Sequence, residues 1–239
     1  MSFLKVEQLS KFFGGLMALW EVNFEIFEGE IFGVIGPNGS GKTTLFNVIT
    51  GFLKANSGKV IFLGRDITDL PPHQICRQGI ARIFQLVKPF HQLTTLQNVM
   101  VSRAYGKDPA TNIRKAKEEV VGILSFVGLG NKTEVLASQL TMAERKRLEL
   151  ARALAAQPQL LLLDELMAGL NSIETEVAME LVKKIRDSGI TVIMVEHIMK
   201  AVLGVSDRIM VLNVGEKIAE GSPREVVKDH RVIEAYLGK

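Results

Sequence analysis

Cysteine is almost absent: Cys76 is the single thiol in 239 residues, which excludes an internal disulfide framework and fits a reducing compartment. Its neighbourhood, Pro72-His73-Gln74-Ile75-Cys76-Arg77, offers no second thiol, so no zinc site is expected. There is no apolar run near the ~20 residues that a membrane-spanning helix needs, and no signal-peptide pattern. The chain is therefore expected to reach a membrane only through partners. Charge of one sign is also scarce. A formal net charge of +3 is too slight to argue for nucleic acid as a main partner, and basic clusters such as Arg145-Lys146-Arg147 and Lys183-Lys184 alternate with acids as on a solvated helix face. The length suits one substantial core, or a core plus a subdomain.

Against these absences stands Gly36-Pro37-Asn38-Gly39-Ser40-Gly41-Lys42-Thr43-Thr44. It follows the apolar run Ile31-Phe32-Gly33-Val34-Ile35 and precedes a helical stretch, Leu45 to Ile49, so it reads as strand, phosphate-binding loop and helix. The glycines let backbone N–H groups converge on nucleotide phosphates. Lys42 would reach the β- and γ-phosphates, and the Thr43 hydroxyl would ligate Mg²⁺. The helix starting near Lys42 adds the positive end of its dipole. Further on, Leu160-Leu161-Leu162-Leu163-Asp164-Glu165 is a buried-strand pattern ending in two carboxylates. Asp164 suits Mg²⁺ held through water, and Glu165 suits a general base or water-positioning group. Together the two motifs make hydrolysis of a nucleoside triphosphate the leading expectation. A small-molecule kinase shares the loop, but no acceptor site is evident.

Ala81-Arg82-Ile83-Phe84-Gln85 reads as a strand ending in Gln. Leu140-Thr141-Met142-Ala143-Glu144 opens a helical run to Ala156, and Ala168-Gly169-Leu170-Asn171 precedes a strand, Ile190 to Val195, that ends in Glu196-His197. In this order the chain resembles the ATP-binding cassette (ABC) ATPases over nearly its whole length. The resemblance implies that Gln85 touches Mg²⁺ and senses a membrane subunit, that Leu140 to Glu144 is the signature presented to a partner's ATP, that Ala168 to Asn171 is the D-loop, and that His197 is the switch histidine near the γ-phosphate. It also implies an aromatic stacked on adenine, Phe13, with Phe12 as rival and a core role open for either. His73, His91 and His230 are assigned no chemistry.

The implied fold is α/β: a P-loop NTPase (RecA-like) core with an N-terminal antiparallel β portion, Phe3 to Glu28, and an inserted α-helical subdomain. One ABC ATPase domain spans 1–239, its core formed by 1–86 and 157–239 and the helical subdomain by 87–156. Within the insert, Leu96 to Val101, Ile113 to Val127 and Thr141 to Ala156 read as helices. The joining stretch Gln85 to Leu93, with Pro89, suits a hinge-like loop. By the resemblance it lines the groove for a membrane subunit's coupling helix, with Phe90, Leu93 and Leu96 as interface candidates.

Three departures stand out. The family signature is commonly Leu-Ser-Gly-Gly-Gln, whereas Met142 and Ala143 occupy the glycine positions here. Thr141 can still cap the helix and donate to phosphate, but a Cβ restricts backbone and approach. The expectation is an asymmetry: an intact site on this chain's own P-loop and a weakened signature lent to the partner. Leu166 also replaces the usual Pro, and Asn171 the usual Asp. The tail, Gly221-Ser222-Pro223-Arg224-Glu225-Val226-Val227 and Val232-Ile233-Glu234-Ala235-Tyr236-Leu237-Gly238, resembles the end of ATP-binding subunits of branched-chain amino acid importers, and the chain is expected to carry no added regulatory domain. Such importers imply a second cassette, two permease subunits, a substrate-binding protein and a place on the cytoplasmic face of the membrane. Cassettes for urea, amide or lipopolysaccharide systems, and a regulatory cassette that binds ATP but hydrolyses it poorly, are the alternatives. A DNA-repair or chromosome ATPase would need a coiled-coil insertion or a basic DNA face, and neither is present.

Overall fold

Alternating burial dictates the first sheet. In the computed structural model, which describes residues 2–85 and 88–237, β1 (Leu4–Phe13) and β2 (Leu16–Ile26) form a hairpin closed at Gly14, and bury Leu4, Val6, Leu9, Val22 and Phe24 on one face. Next comes β3 (Ile31–Ile35), whose five residues are all buried, as expected of a strand with parallel neighbours on both sides. It delivers the chain to α1 (Lys42–Ile49). Then β4 (Ser57–Phe62) and β5 (Arg65–Asp66) complete an antiparallel sheet of order β2-β1-β4-β5.

The chain continues through α2 (Pro72–Arg77) and β6 (Ile80–Ile83), the helices α3 (Thr95–Tyr105), α4 (Ile113–Phe126) and α5 (Met142–Ala155), then β7 (Leu160–Asp164), α6 (Ser172–Asp187), β8 (Thr191–Val195), α7 (Met199–Val205), β9 (Arg208–Asn213), β10 (Glu216–Gly221), α8 (Pro223–Val226) and α9 (His230–Leu237), and the strands β3 and β6 to β10 form the second sheet. Its order is β10-β9-β3-β8-β7-β6, parallel except for the β9–β10 hairpin. Mixed α/β architecture with an N-terminal antiparallel portion is thus as the sequence implied.

The helices α3, α4 and α5 occupy the connection between β6 and β7, which lie side by side from Ile80↔Leu160 to Ile83↔Leu163. They share one apolar cluster with the sheet: Val99, Val120, Leu124 and Leu148 pack in the same core as Ile83, Leu161 and Leu163. The expected boundary at 86/87 falls on Leu86 and Val87, and Gly238 closes the tail motif. All three lie outside the described residues. The strand expected to run to Gln85 ends at Ile83, where its pairing with Leu163 stops, so Phe84 and Gln85 leave the sheet edge and are free to turn toward neighbouring loops.

Candidate functional site

The loop after β3 is shaped by glycines that nothing else could replace. Gly36 has φ +152° and a Cβ there would stand 2.0 Å from the Leu212 carbonyl oxygen; at Gly41, φ +105°, it would stand 2.5 Å from that of Ala18. Ser40 is buried, Pro37 and Thr44 half-buried, and Asn38, Gly39 and Thr43 exposed at the mouth. Lys42 folds back over the loop, donating to the Gly36 and Pro37 carbonyls at 2.7 and 2.8 Å and to Ser40 Oγ at 3.3 Å. Burial pushes its pKa down, opposed by the charges of Glu165 and Asp164. The helices α3, α5, α6 and α8 begin with reciprocal capping boxes, whereas α1 starts at Gly41 with no side-chain cap. Its first N–H groups are thus open to an anion.

Opposite this loop three residues distant in sequence converge. Gln85 Nε2 donates to Glu165 Oε2 at 2.7 Å, and His197 Nε2 lies 2.7 Å from Glu165 Oε1. A carboxylate only accepts, so Nε2 of His197 carries the proton. Glu165 sits just past β7 with φ +53°, its N–H bonded to the Val195 carbonyl at 2.9 Å, and this turn swings its side chain between the other two. Asp164 ends β7 and is buried; Thr43, Gln85 and Asp164 line one cavity of about 840 Å³. No cluster of three His, Cys, Asp or Glu able to hold a metal exists among the described residues. One hydroxyl, one carboxylate and one amide beside a phosphate loop instead match Mg²⁺, which takes oxygen ligands chiefly from substrate phosphates.

Three buried charged residues behind this constellation were not foreseen as part of it. Arg82 donates to Asp164 Oδ2 at 2.6 Å from β6. Lys146 donates to the carbonyls of Leu166 and Glu165 at 2.7 and 3.1 Å, and burial lowers its pKa. Glu196 accepts from the Met167 N–H at 2.7 Å, and burial pushes its carboxyl up to about 7 despite that bond and the nearby Lys146. A sequence signal existed for Lys146: it shares the i, i+4, i+7 stripe of α5 with Leu150 and Ala153, where a lysine is out of place unless its ammonium has buried acceptors.

The residues expected to form the signature and the D-loop lie together, Met142 reaching Gly169. Thr141 caps α5 by accepting from the Glu144 N–H at 3.3 Å, while Glu144 accepts from the Thr141 N–H at 3.0 Å. Leu140 is buried beneath. Met142 is 59% exposed, with its methyl end over Gly169. Met142 and Ala143 both have ordinary helical φ, so nothing in the backbone demands glycine there. Only the bulk of their side chains remains of the sequence objection. Asn171 caps α6, its Oδ1 accepting from the Glu174 N–H at 2.9 Å, so the lost Asp charge leaves the cap intact. Ala168 and Leu170 are half-buried between these turns.

Phe13 is 45% exposed at the end of β1, with Lys11 Nζ 5.3 Å from its ring centroid. Phe12 is half-buried and packs edge-on against Trp20 at 5.9 Å. Phe13 is therefore no core residue, and its ring is the one available for stacking. At the far end of the chain, partial burial raises the pKa of the Tyr236 phenol, opposed by the nearby Gly36 amide. The tail helix thus touches the loop.

The cavity continues as a groove between core and helical block, lined by Phe52, Cys76, Phe84, Glu149 and Arg152. Phe90 is exposed nearby, stacked under Arg152, whereas Leu96 is buried in the core and Leu93 is half-buried. Leu96 thus drops out as an interface candidate because it packs inward from the first turn of α3.

Residues 19–168 match the family model described as ABC transporter, and residues 216–239 match that described as branched-chain amino acid ATP-binding cassette transporter. A relative from Archaeoglobus fulgidus, the probable branched-chain amino acid transport ATP-binding protein LivG, is 39% identical over 100% of this chain and 96% of its own. The crystal structure of the ADP conformation of an ATP-binding cassette superposes with a TM-score of 0.92 at 33% identity, covering both chains fully. A dimeric bacterial ABC transporter cassette does so with a TM-score of 0.83 at 29% identity, over 92% of this chain and 99% of that one.

Proposed function

The chain belongs to the ABC transporter family, and from that premise we propose that it is the ATP-hydrolysing subunit of an importer for branched-chain amino acids. The observation that carries the hydrolytic part is the carboxylate of Glu165 held between Gln85 and His197 at 2.7 Å each, across from an uncapped α1. The cargo rests on the match of residues 216–239 and on the name of the relative just described.

Gly36 to Thr44 bind the phosphates through backbone N–H groups. Lys42 leaves its own loop carbonyls for the β- and γ-phosphate oxygens, trading neutral acceptors for charged ones. Phe13 stacks on adenine. Thr43, Gln85 and Asp164 would hold Mg²⁺, which when bound would supply positive charge against the phosphates. Glu165 releases one oxygen to the attacking water and takes its proton, while His197 Nε2–H turns toward the γ-phosphate and keeps water and carboxylate in line. Leu140 to Glu144 close over ATP held by a second cassette, Ala168 to Asn171 form the D-loop at that junction, and the groove takes up a permease subunit. A substrate-binding protein supplies the cargo on the far side. No helix among the described residues is long and apolar enough to cross a membrane. On the reading proposed here, permease subunits hold the chain at the cytoplasmic face of the membrane.

Glu165→Gln tests this reading: it should retain ATP and lower turnover by ~10²–10⁴-fold in the assembled transporter. Turnover equal to the unmodified protein would remove Glu165 from its role.

A further inference from the structure

Arg82 sits where no catalytic motif assigns anything, yet its guanidinium is the most heavily engaged cation near the site. From β6 it bonds Asp164 Oδ2 at 2.6 Å, Asn47 Oδ1 at 2.7 Å and Thr50 Oγ1 at 3.3 Å, the last two on or just after α1. Both members of the ion pair are at least 95% buried. The Arg82 Cζ lies 4.7 Å from the ring centroid of Phe84 and 5.5 Å from that of Phe46. Its Nε–H has no partner among the described residues.

A buried ion pair gives little net stability over an apolar packing of the same volume, because desolvation offsets the attraction. An unpartnered Nε–H makes this one poorer still. Fold stability thus does not account for it. What the pair does accomplish is geometric. A carboxylate at the end of a strand can rotate about χ2; with Oδ2 fixed to a fork that is itself fixed to α1, Oδ1 is left aimed in one direction. That fork ties the carboxylate of β7 to the helix carrying Thr43. A lysine could supply the charge but not three directed bonds in one plane.

We propose that Arg82 is a positioning residue for divalent metal: it holds Asp164 in register with Thr43, so that the two meet Mg²⁺ bound to the nucleotide phosphates. The proposal rests on the assignment of Asp164 given above. Groups that orient metal-ligating carboxylates characteristically change metal affinity 10–100-fold when removed.

The test measures Mn²⁺ binding to the full chain with saturating ADP by electron paramagnetic resonance, alongside ADP affinity in EDTA. Arg82→Gln should weaken Mn²⁺ binding at least ~10-fold and leave metal-free ADP affinity within twofold, and Arg82→Lys should fall between. If Arg82→Gln does not fold, Asn47→Ala, which frees the fork without exposing a buried charge, should weaken Mn²⁺ binding about fivefold. Unchanged Mn²⁺ affinity in the folded variants overturns the proposal, as does an equal loss of metal-free ADP affinity, which would make Arg82 a support of α1 alone. Asp164→Asn separates the two readings. If it leaves Mn²⁺ binding intact, the assignment of Asp164 fails; if it abolishes binding while Arg82→Gln does not, only the role of Arg82 fails.

Discussion

Replacing Glu196 by glutamine should stabilise the protein in alkaline solution and hardly change it in acid. The Glu196 side chain is buried, accepts from the Met167 N–H, and has its carboxyl raised from 4.5 to about 7. The folded state therefore binds a proton that the unfolded chain has already released between those pH values. The associated stability is complete below pH 4.5 and is lost as pH rises through about 7. A difference of about 2.5 pH units corresponds to roughly 3 kcal/mol above pH 8, at about 1.4 kcal/mol per unit. Glutamine keeps the acceptor for Met167 and carries no charge at any pH. Urea unfolding of both proteins between pH 4.5 and 8.5 should give curves that differ by about 0.5 kcal/mol at the acid end and diverge to roughly 3 kcal/mol at the alkaline end. A constant difference across that range, or a glutamine variant less stable at pH 8, would refute burial as the cause.

The remaining outcomes concern ligand contacts. Phe13→Ala should weaken ATP binding about tenfold, as loss of one aromatic stack does, while Phe12→Ala should lower the melting temperature without changing nucleotide affinity; the reverse pattern would exchange their roles. The double change Met142→Gly and Ala143→Gly should raise turnover in a reconstituted complex by relieving the bulk over the partner's ATP, and should lower stability by ~1–2 kcal/mol because both are helical positions. Unchanged turnover would show that the side chains there obstruct nothing.

Contiguous motifs were the legible part. Gly36 to Thr44, Leu160 to Glu165 and Thr141 to Glu144 are each one strand end or one helix start, so local sequence carries both the conformation and the chemistry. The same holds for the parallel strands, since five consecutive buried residues in β3, β7 and β8 leave few alternatives. Short pieces were not legible. Residues 57–66 and 72–77 form β4, β5 and α2, but β5 is two residues long and exposed, and is set by pairing with β4 rather than by its own pattern. Partners such as Arg82 and Asp164 are 82 residues apart, and no spacing rule joins them before the fold does. The hydrogen bond from Gln85 to Glu165 was foreseen neither from the motifs nor from the resemblance; the exit of Phe84 and Gln85 from the sheet edge is what makes it possible.

Glu165 carries its functional carboxylate on a backbone in the left-handed region, at φ +53°. A side chain with a Cβ in that region costs about 1 kcal/mol or more, which glycine and, in part, asparagine avoid. Mutational pressure toward a more stable fold and pressure to keep hydrolysis therefore act in opposite directions at this one codon. A library selected for thermal resistance without regard to transport should accumulate glycine or asparagine at 165, so that the most heat-tolerant members of the pool would be inert ones.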